Sequence, residues 1–194
     1  MSNNVNEVVA GTPLLGGAVF RGPLGSPIPT DESVALNAAL KDLGYASDAG
    51  LTEAIERSVE KKNDWGGRLI KTIQTEVSAT FTVTLVQALN ADVAKARYGN
   101  NAVTVTPATS SAGNKLAVAF KGEPLERGVW VFEMKDGPAR TRVVLPDAQV
   151  TETGEVEYST AELVGFESTI ECFPDENGNY FYKYTDDGIK DTGE

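Results

Sequence analysis

The chain contains no histidine and only one cysteine, Cys172, among its 194 residues. Without histidine, a Ser-His-Asp triad, a histidine general base and most zinc sites are excluded. A single cysteine cannot form a disulfide within the chain, which fits a reducing compartment or a fold that needs no covalent cross-link. The phosphate-binding patterns GxxxxGK[ST] and GxGxxG are also absent.

Paired carboxylates therefore remain the main route to catalysis. Candidate pairs are Asp186-Asp187, Glu155/Glu157 and Glu167/Glu171. In a chain this acidic, such spacings are expected from solvated strand faces, and nothing shows that any pair shares a cleft. We expect no enzyme, and no catalytic, metal or cofactor site.

The sequence has no apolar run of about 20 residues, and its first residues, MSNNVNEVV, do not form a signal peptide. With 17 Lys and Arg against 28 Asp and Glu, the formal net charge is -11. Tight binding to nucleic acid or to an anionic membrane needs cationic surface, which this composition opposes. These features predict a soluble, unsecreted protein without a membrane partner.

Its length fits one domain over residues 1–194, with an N-terminal arm (1–15) and a loose C-terminal tail (185–194).

Residues 70–86, IKTIQTEVSATFTVTLV, alternate apolar and polar side chains over an unusual length. This pattern predicts one β-strand of about 50 Å, against about 5 or 6 residues for an ordinary strand. Only Thr75 interrupts the alternation. One face carries Ile73, Val77, Ala79, Phe81, Val83 and Leu85, and the other Gln74, Glu76, Ser78, Thr80, Thr82 and Thr84. Such a strand indicates a sheet shared with other copies of the chain, and the alternative is a long strand in a self-contained sandwich.

The remaining patterns predict a mainly β chain with one short flanking helix. Asn90 is a good N-cap for a helix over residues 91–98 that ends at Gly99. A weaker helical period covers residues 31–43, and the charged residues 45–65 are predicted as a protruding loop with some strand. Further strands are predicted over residues 18–21, 103–106, 115–121, 128–135, 140–145 and 164–173, the last with Val164, Phe166, Ile170 and Cys172 inward and Glu167, Thr169 and Glu171 outward.

The segment Asp175-Glu176-Asn177-Gly178-Asn179 has oxygen ligands at alternate positions, as a calcium loop does. A calcium loop of the EF type requires Gly at its sixth position and Glu at its twelfth, where this chain has Tyr180 and Asp186. Asn-Gly is instead the usual signal of a type I′ hairpin turn, so we predict a hairpin between residues 164–173 and 180–184.

Several segments in order carry a resemblance to a known family. They are DLGYASDAGLTEAIERSVEKKNDWGG, the long strand TEVSATFTVTLVQALN, a helix ending in ARYG, and GEVEYSTAELVGFESTIECFPDENGNYFYKY. Over residues 16–185 this order resembles the major tail tube proteins of long-tailed phages, particularly those that infect actinobacteria. The resemblance implies a single-domain β-sandwich or barrel, six copies that close into a ring, and rings that stack into the tube for DNA ejection.

The resemblance also implies partners and a location. The partners are other copies of the chain, the tape-measure protein, and the tail terminator and distal tail proteins. DNA would pass through the lumen without specific binding, and the protein would be found in the virion tail and, during assembly, in the host cytoplasm. Six copies at -11 would place -66 on a ring, and an acidic wall repels DNA phosphates.

Two surfaces follow as expectations. The candidate lumen face consists of Gln74, Glu76, Ser78, Thr80, Thr82, Glu167, Thr169 and Glu171, although the same pattern also allows these residues to face outward. The candidate inter-ring loop consists of Glu53, Glu56, Arg57, Glu60, Lys61, Lys62 and Asp64. Its alternative is a solvated surface loop.

Other classes of protein remain open from the sequence. A carbohydrate-binding or adhesive β-sandwich is one alternative, with Tyr180, Tyr182 and Tyr184 as a stacking platform. An acid-base hydrolase is another. The alternative most similar to a tail tube protein is a tail terminator, distal tail protein or secretion-tube protein with the same fold.

Overall fold

The computed structural model describes residues 7–15 and 17–190, which form ten β-strands and one α-helix. The helix is α1 (Ala91–Tyr98). The strands are β1 (Val19–Pro23), β2 (Lys41–Asp42), β3 (Ala46–Asn63), β4 (Leu69–Leu85), β5 (Val103–Thr106), β6 (Lys115–Val118), β7 (Gly128–Asp136), β8 (Ala139–Thr153), β9 (Phe166–Cys172) and β10 (Tyr182–Asp186). The predicted mainly β fold with one short helix is confirmed.

One antiparallel sheet holds eight of the strands, in the order β2-β1-β7-β8-β9-β4-β3, and β10 pairs with β8 beside this path. Strand β8 bends the sheet into two layers, because its residues 139–145 pair with β7 while residues 148–153 pair with β9. The first layer contains β2, β1, β7, β10 and the start of β8, and the second contains the end of β8 with β9, β4 and β3. Strands β5 and β6 form a separate small hairpin.

The main core lies between the two layers. Phe81 of β4 stacks on Phe132 of β7 with ring centroids 6.1 Å apart, and Phe181 meets Phe81 edge-on at 5.2 Å. Trp130 and Ile170 are also fully buried there. A second, smaller cluster lies on the other face of the first layer and contains Leu40, Val129, Val131 and Val144.

Helix α1 begins and ends as its sequence predicts. The side-chain oxygen of Asn90 accepts a hydrogen bond from the Asp92 backbone N–H at 2.9 Å, and Gly99, at φ 95°, donates its N–H to the Lys95 carbonyl. The helix predicted over residues 31–43 is wrong. The Asp31 carboxylate instead accepts the backbone N–H groups of Ser33 and Val34, a local turn that competes with helical hydrogen bonds.

The loop predicted over residues 45–65 is also wrong in its secondary structure, because almost all of it belongs to the 18-residue strand β3. Its apolar content is too low to predict a strand, but β4 supplies a partner for nearly its whole length. Strand β8 likewise extends beyond the predicted residues 140–145 to 15 residues, while β6 ends at Val118 rather than at residue 121.

The chain between β9 and β10 forms a turn, but the predicted type I′ hairpin is wrong. Strand β10 pairs with β8 rather than with β9. A type I′ turn needs positive φ at both central residues, whereas Gly178 has φ 82° and Asn177 does not adopt a positive φ. The Asp175 carboxylate holds the turn by accepting the N–H groups of Asn177 and Asn179 and the hydroxyl of Tyr182.

Parts of the predicted arm and tail pair with the body of the fold. Residues 10–14 lie beside β7, where the Leu14 N–H donates to the Glu133 carbonyl and the Lys135 N–H to the Thr12 carbonyl. The C-terminal tail predicted from residue 185 begins too early, since β10 continues to Asp186. Residues 1–6 and 191–194 of the predicted arm and tail lie outside the described residues.

Candidate assembly surface

The β3–β4 hairpin projects well beyond the sandwich. Strand β4 pairs with β9 only through residues 80–85, so residues 69–79 pair with β3 alone. This two-stranded extension, called the ribbon here, consists of residues 55–79. At roughly 3.3 Å per residue, the ten steps from residue 69 to residue 79 span about 33 Å. The predicted overlong strand therefore does outrun its own core.

A short turn closes the tip of the ribbon. The Asp64 carboxylate accepts the backbone N–H and the side-chain Nε of Arg68, at 2.8 and 3.0 Å. Gly67 adopts φ 82°, a backbone conformation that residues other than glycine rarely adopt. The Trp65 side chain is fully exposed at this tip.

A β-bulge at Thr75 inverts the two faces of β4. Ser58 pairs with Glu76 and Val59 pairs with Gln74, so Thr75 is an extra residue. Val59 lies on the opposite side of β3 from Ser58, and Gln74 therefore lies opposite Glu76. A hydrogen bond confirms this placement. Arg57, on the same side of β3 as Val59, donates from Nη1 to the Gln74 Oε1 at 3.3 Å. Thus the expectation that Gln74 and Glu76 share a face is wrong.

One face of the ribbon continues the core-facing side of β4 into solvent. Ile55 pairs with Ala79, and Val59 follows on the same side of β3. Both side chains are about half exposed, and Leu69 is similarly exposed near the tip. Apolar side chains therefore run past the end of the core with nothing from the described residues to cover them, which is typical of a surface that binds a partner.

The other predicted lumen residues share one face of the second layer. Thr80 pairs with Glu171 and Thr82 with Thr169, whose hydroxyls lie 3.3 Å apart. Glu167 pairs with Thr84, and Ser78 and Glu76 continue the row along the ribbon. These side chains are half-buried or exposed, on the side away from Phe81 and Ile170. The structure thus brings together seven of the eight candidates, all except Gln74.

The residues predicted for the inter-ring loop do not form a single surface. Glu56, Glu60 and Lys62 lie on the Glu76 side of the ribbon, and Arg57 and Lys61 lie on the other side. Asp64 belongs to the turn at the tip. Glu53 points between the layers, where its carboxylate accepts the Lys183 ammonium at 2.6 Å and joins β3 to β10.

Two unpaired strand edges flank the second layer, and sequence reasoning did not find them. In the described part of the chain, strand β3 pairs only with β4, which leaves its outer edge free. On β8, residues 149–153 pair with β9 on one side, while β7 reaches only Ala148 on the other. Among the described residues, both edges offer backbone N–H and C=O groups to another chain. For the strand that carries the first edge the sequence does contain a signal. A strand as long as β4 needs a neighbour of similar length, and that neighbour is β3.

The tyrosines considered as a sugar platform are engaged in packing. Tyr182 and Tyr184 stack in parallel with centroids 6.2 Å apart, and both pack against the smaller cluster that contains Val144. The Tyr182 hydroxyl bonds to Asp175, and Tyr180 packs against the main core. All three are half-buried, which leaves little ring surface for a sugar.

Few titratable groups are perturbed. Burial raises the pKa of the Cys172 thiol to about 12, so the protonated thiol fills space in the core. The hydrogen bond from Tyr182 lowers the pKa of Asp175. Within the described residues there is no group of three potential metal ligands, and no helix is long and apolar enough to cross a membrane.

Comparison with known proteins assigns the family. A family model described as phage tail tube protein matches residues 1–192. The chain belongs to this family of phage tail tube proteins. It is therefore a structural protein of the virion tail, with the β-rich fold of that family, and the family implies self-assembly into the tail tube and association with other tail proteins.

Solved structures and curated sequences add little detail. The cryo-EM structure of the anti-feeding prophage cap, which terminates the AFP tube, aligns with 96% of this tail tube chain and 100% of its own chain. Their sequence identity is 10% and the TM-score is 0.39. No curated protein matches the sequence.

Proposed function

We propose that six copies of this protein close into a ring and that the rings stack into the tail tube through which DNA leaves the capsid. The observation that carries the proposal is the second layer of the sandwich, which has a free strand edge on each side and a ribbon that overhangs its core. A self-contained sandwich would cover or shorten these edges. Family membership supports the same assembly.

The strand directions allow the sheet to continue from one copy to the next. Adjacent strands of the layer are antiparallel, so β3 and β9 run one way while β4 and β8 run the other. The free edge of β3 would therefore meet the β8 edge of a neighbour in an antiparallel arrangement. Repeated around a closed ring, this pairing removes every exposed edge of the layer.

Such a ring would have the polar face of the second layer as its lumen. The face carries Glu76, Glu167 and Glu171 between hydroxyl side chains. Carboxylates and hydroxyls carry no positive charge that could bind phosphate, so DNA would slide along the wall rather than bind to it. Gln74 lies on the opposite side of the ribbon and is excluded from this proposed lumen face.

The ribbon would make the contacts between successive rings. It is long enough to reach past the body of its own subunit, and its charged side chains point to both sides. Glu56, Arg57, Glu60, Lys61, Lys62 and Asp64 would act there, whereas Glu53 would stabilise its own subunit through Lys183. The tail terminator, the distal tail protein and the tape-measure protein would contact the tube at its ends and inside it.

The same reasoning gives the chain a structural role without catalysis, cofactor or metal, and a location in the virion tail after assembly in the host cytoplasm. Residues 1–194 would act as one tail-tube domain, with the order of motifs favouring the type found in phages of actinobacteria. The second candidate function is that of a tail terminator, which also forms rings and is therefore also consistent with the free edges.

Negative-stain microscopy of the purified protein over a range of concentrations tests the proposal. We expect rings and tubes, and tubes rather than isolated rings would separate the tube role from the terminator role. A species that stays monomeric at every concentration and salt, also in the presence of a tail tip complex, would overturn it.

A shortened ribbon tests the role of the overhang. Ser58 and Glu76 are partners, so residues 59–75 can be replaced by Asn-Gly to make a shorter hairpin. We expect folded subunits that close into rings but do not elongate. The matched control replaces residues 107–114 by Asn-Gly between the partners Thr106 and Lys115. Normal tubes from the shortened ribbon would contradict the assignment.

A further inference from the structure

The connection from β8 to β9 is a strongly acidic loop. The connection itself, residues 154–165, contains three glutamates, and the adjoining strand ends add two more, so that residues 152–167, called the acidic loop here, contain five glutamates and no Lys or Arg. All five are exposed, and none forms an ion pair within the described part of the chain. They are Glu152, Glu155, Glu157, Glu162 and Glu167.

The base of the acidic loop is fixed to the body. The Gly154 N–H donates to the Glu167 carbonyl at 3.1 Å. The Arg97 guanidinium, on helix α1, donates to the carbonyls of Gly154 and Glu167 at 2.7 and 3.1 Å. It also lies over the Phe166 ring at 5.2 Å. The loop is thus presented from a fixed position as a compact surface element.

The ribbon tip has the opposite charge. Residues 60–71, defined here as the tip, contain four cations and two acids, a local charge of +2 in a chain of -11. Glu60 pairs with Lys62 and Asp64 pairs with Arg68. Within the described residues, Lys61 and Lys71 form no ion pair, and both are exposed. The tip therefore presents free positive charge.

The tip and the acidic loop lie at opposite ends of one strand. Strand β4 starts at the tip with Leu69 and ends at Leu85, which pairs with Phe166 at the end of the acidic loop. A strand of this length spans about 50 Å. The two surfaces are too far apart to meet within one copy, but their separation suits contact between two copies stacked head to tail.

Exposed apolar side chains accompany the charge at both ends. Trp65 and Ile70 are exposed on the tip, with Trp65 fully so. Tyr158 and Leu163 are each 77% exposed on the acidic loop. Each end thus combines apolar contact area with charge of one sign, the composition expected of two complementary halves of an interface.

We propose that the cationic ribbon tip of one copy docks on the acidic loop of a second copy in the next ring. The inference rests on the proposed stacking of rings and names the two surfaces that meet. It makes the contact heterologous, so every ring adds in the same orientation. Two tips or two acidic loops that face each other would repel, which disfavours a ring added upside down.

Charge exchange tests the pairing directly. The tip variant is Lys61→Glu with Lys71→Glu, and the loop variant is Glu157→Lys with Glu162→Lys. Each is expected to raise the protein concentration needed for tubes by about tenfold at 0.1 M salt, since each removes two surface ion pairs and introduces repulsion. The chain with all four changes is expected to return to within about threefold of the unmodified protein.

Controls of equal charge change separate this contact from a general effect of net charge. They are Lys115→Glu with Lys121→Glu, and Glu123→Lys with Glu176→Lys, all exposed positions outside residues 60–71 and 152–167. Pelleting and negative-stain microscopy give the concentration, and thermal unfolding confirms that each variant folds. Ring formation is scored separately from elongation.

The outcomes distinguish this inference from the proposed function. Weakened elongation by either pair, with recovery in the fourfold variant, supports the docking. If the unmodified protein forms tubes but the tip and loop variants behave as the controls do, or if recovery fails although each variant folds, the docking is wrong and the tube assignment stands. If the unmodified protein forms neither rings nor tubes at any concentration or salt, also in the presence of a tail tip complex, both are overturned.

Discussion

Arg142 of β8 and Glu133 of β7 form a buried ion pair between neighbouring strands, with Arg142 Nε donating to Glu133 Oε1 at 2.8 Å. The same guanidinium donates to the carbonyl oxygens of Asp31 and Val34, at 2.6 and 2.8 Å. One side chain therefore connects the first layer to the irregular segment that was predicted as a helix. That segment helps to cover the smaller hydrophobic cluster through Leu36.

We expect Arg142→Ala to lower the free energy of unfolding by about 3 kcal/mol, because it leaves the Glu133 carboxylate buried without its partner and two carbonyls without a donor. Arg140→Ala, on the same strand and exposed, is the control and should change stability by less than about 0.5 kcal/mol. Denaturant unfolding measures both. Equal effects from the two variants would show that the buried pair contributes no more than a surface residue.

Gly128 is a position where β1 and β7 approach too closely for a side chain. A Cβ atom added there would lie 2.5 Å from the Gly22 carbonyl oxygen. We expect Gly128→Ala to cost about 2 kcal/mol, since backbone of two paired strands must move. Gly113→Ala is the matched control, because a Cβ there meets nothing within 4 Å and φ is not positive. Thermal unfolding of both variants tests this, and a neutral Gly128→Ala would contradict the close approach.

The sequence predicted those elements whose signal is local. The alternation from Val77 to Leu85 corresponds to buried and half-buried side chains in the structure, and Asn90 caps α1 as expected. Phe166, Ile170 and Cys172 face the core while Glu167 and Thr169 do not. The apolar–polar period of a strand and the capping residues of a helix depend on residues close in the sequence. They can therefore be recognised without knowledge of the fold.

Elements set by distant partners could not be predicted in the same way. Strand β3 is mostly polar and exists because β4 pairs with it, and the faces of the ribbon depend on the bulge at Thr75. The partner of β10 is β8, although Asn177-Gly178 favours pairing with β9. The two free edges follow from the strand order, and the placement of the tip and the acidic loop at opposite ends of β4 follows from the pairing of β4 with β9.

The Cys172 thiol is expected to be unreactive in the folded protein. It is almost completely buried, and burial raises its pKa to about 12, so almost no thiolate exists at pH 8. Ellman's reagent should therefore detect no thiol in native protein over minutes, and one per chain after unfolding in guanidinium. Rapid reaction without denaturant would show that the β9 end opens readily.

Asp175 should make stability depend on pH in the acid range. Hydrogen bonds, chiefly from Tyr182, lower its pKa in the folded state below the unfolded value of about 3.9. The carboxylate therefore stabilises the fold at neutral pH, and that contribution is lost as pH falls through the folded pKa. We expect Asp175→Asn to lower Tm at pH 7, with the difference from wild type shrinking towards pH 2.

The control for this prediction is Glu176→Gln, since Glu176 is exposed and makes no hydrogen bond within the described residues. Its Tm should follow that of the wild type at every pH. A difference for Asp175→Asn that stays constant from pH 7 to pH 2 would mean that the charge of Asp175 is not what holds the turn.

In the proposed tube, DNA would meet the polar face of the second layer. Glu76 and Glu171 lie on the same face of the second layer, along the row that contains Ser78 and Thr80. If this face lines the lumen, Glu76→Lys with Glu171→Lys would still allow tubes, because neither side chain belongs to the core. Lysines there would attract phosphates and slow DNA ejection.

Ionic strength makes this effect specific. The Debye length is about 30 Å at 0.01 M salt and about 10 Å at 0.1 M, so the delay should be largest at low salt and shrink as salt increases. The exposed pair Glu123→Lys with Glu176→Lys changes the net charge equally and should leave ejection unaffected. Ejection from particles that carry each variant can be followed by the fluorescence of a DNA-binding dye. Equal rates for both variants at every salt would indicate that the Glu76 face points to the outside of the tube, and the opposite face of the ribbon would then have to be tested in the lumen.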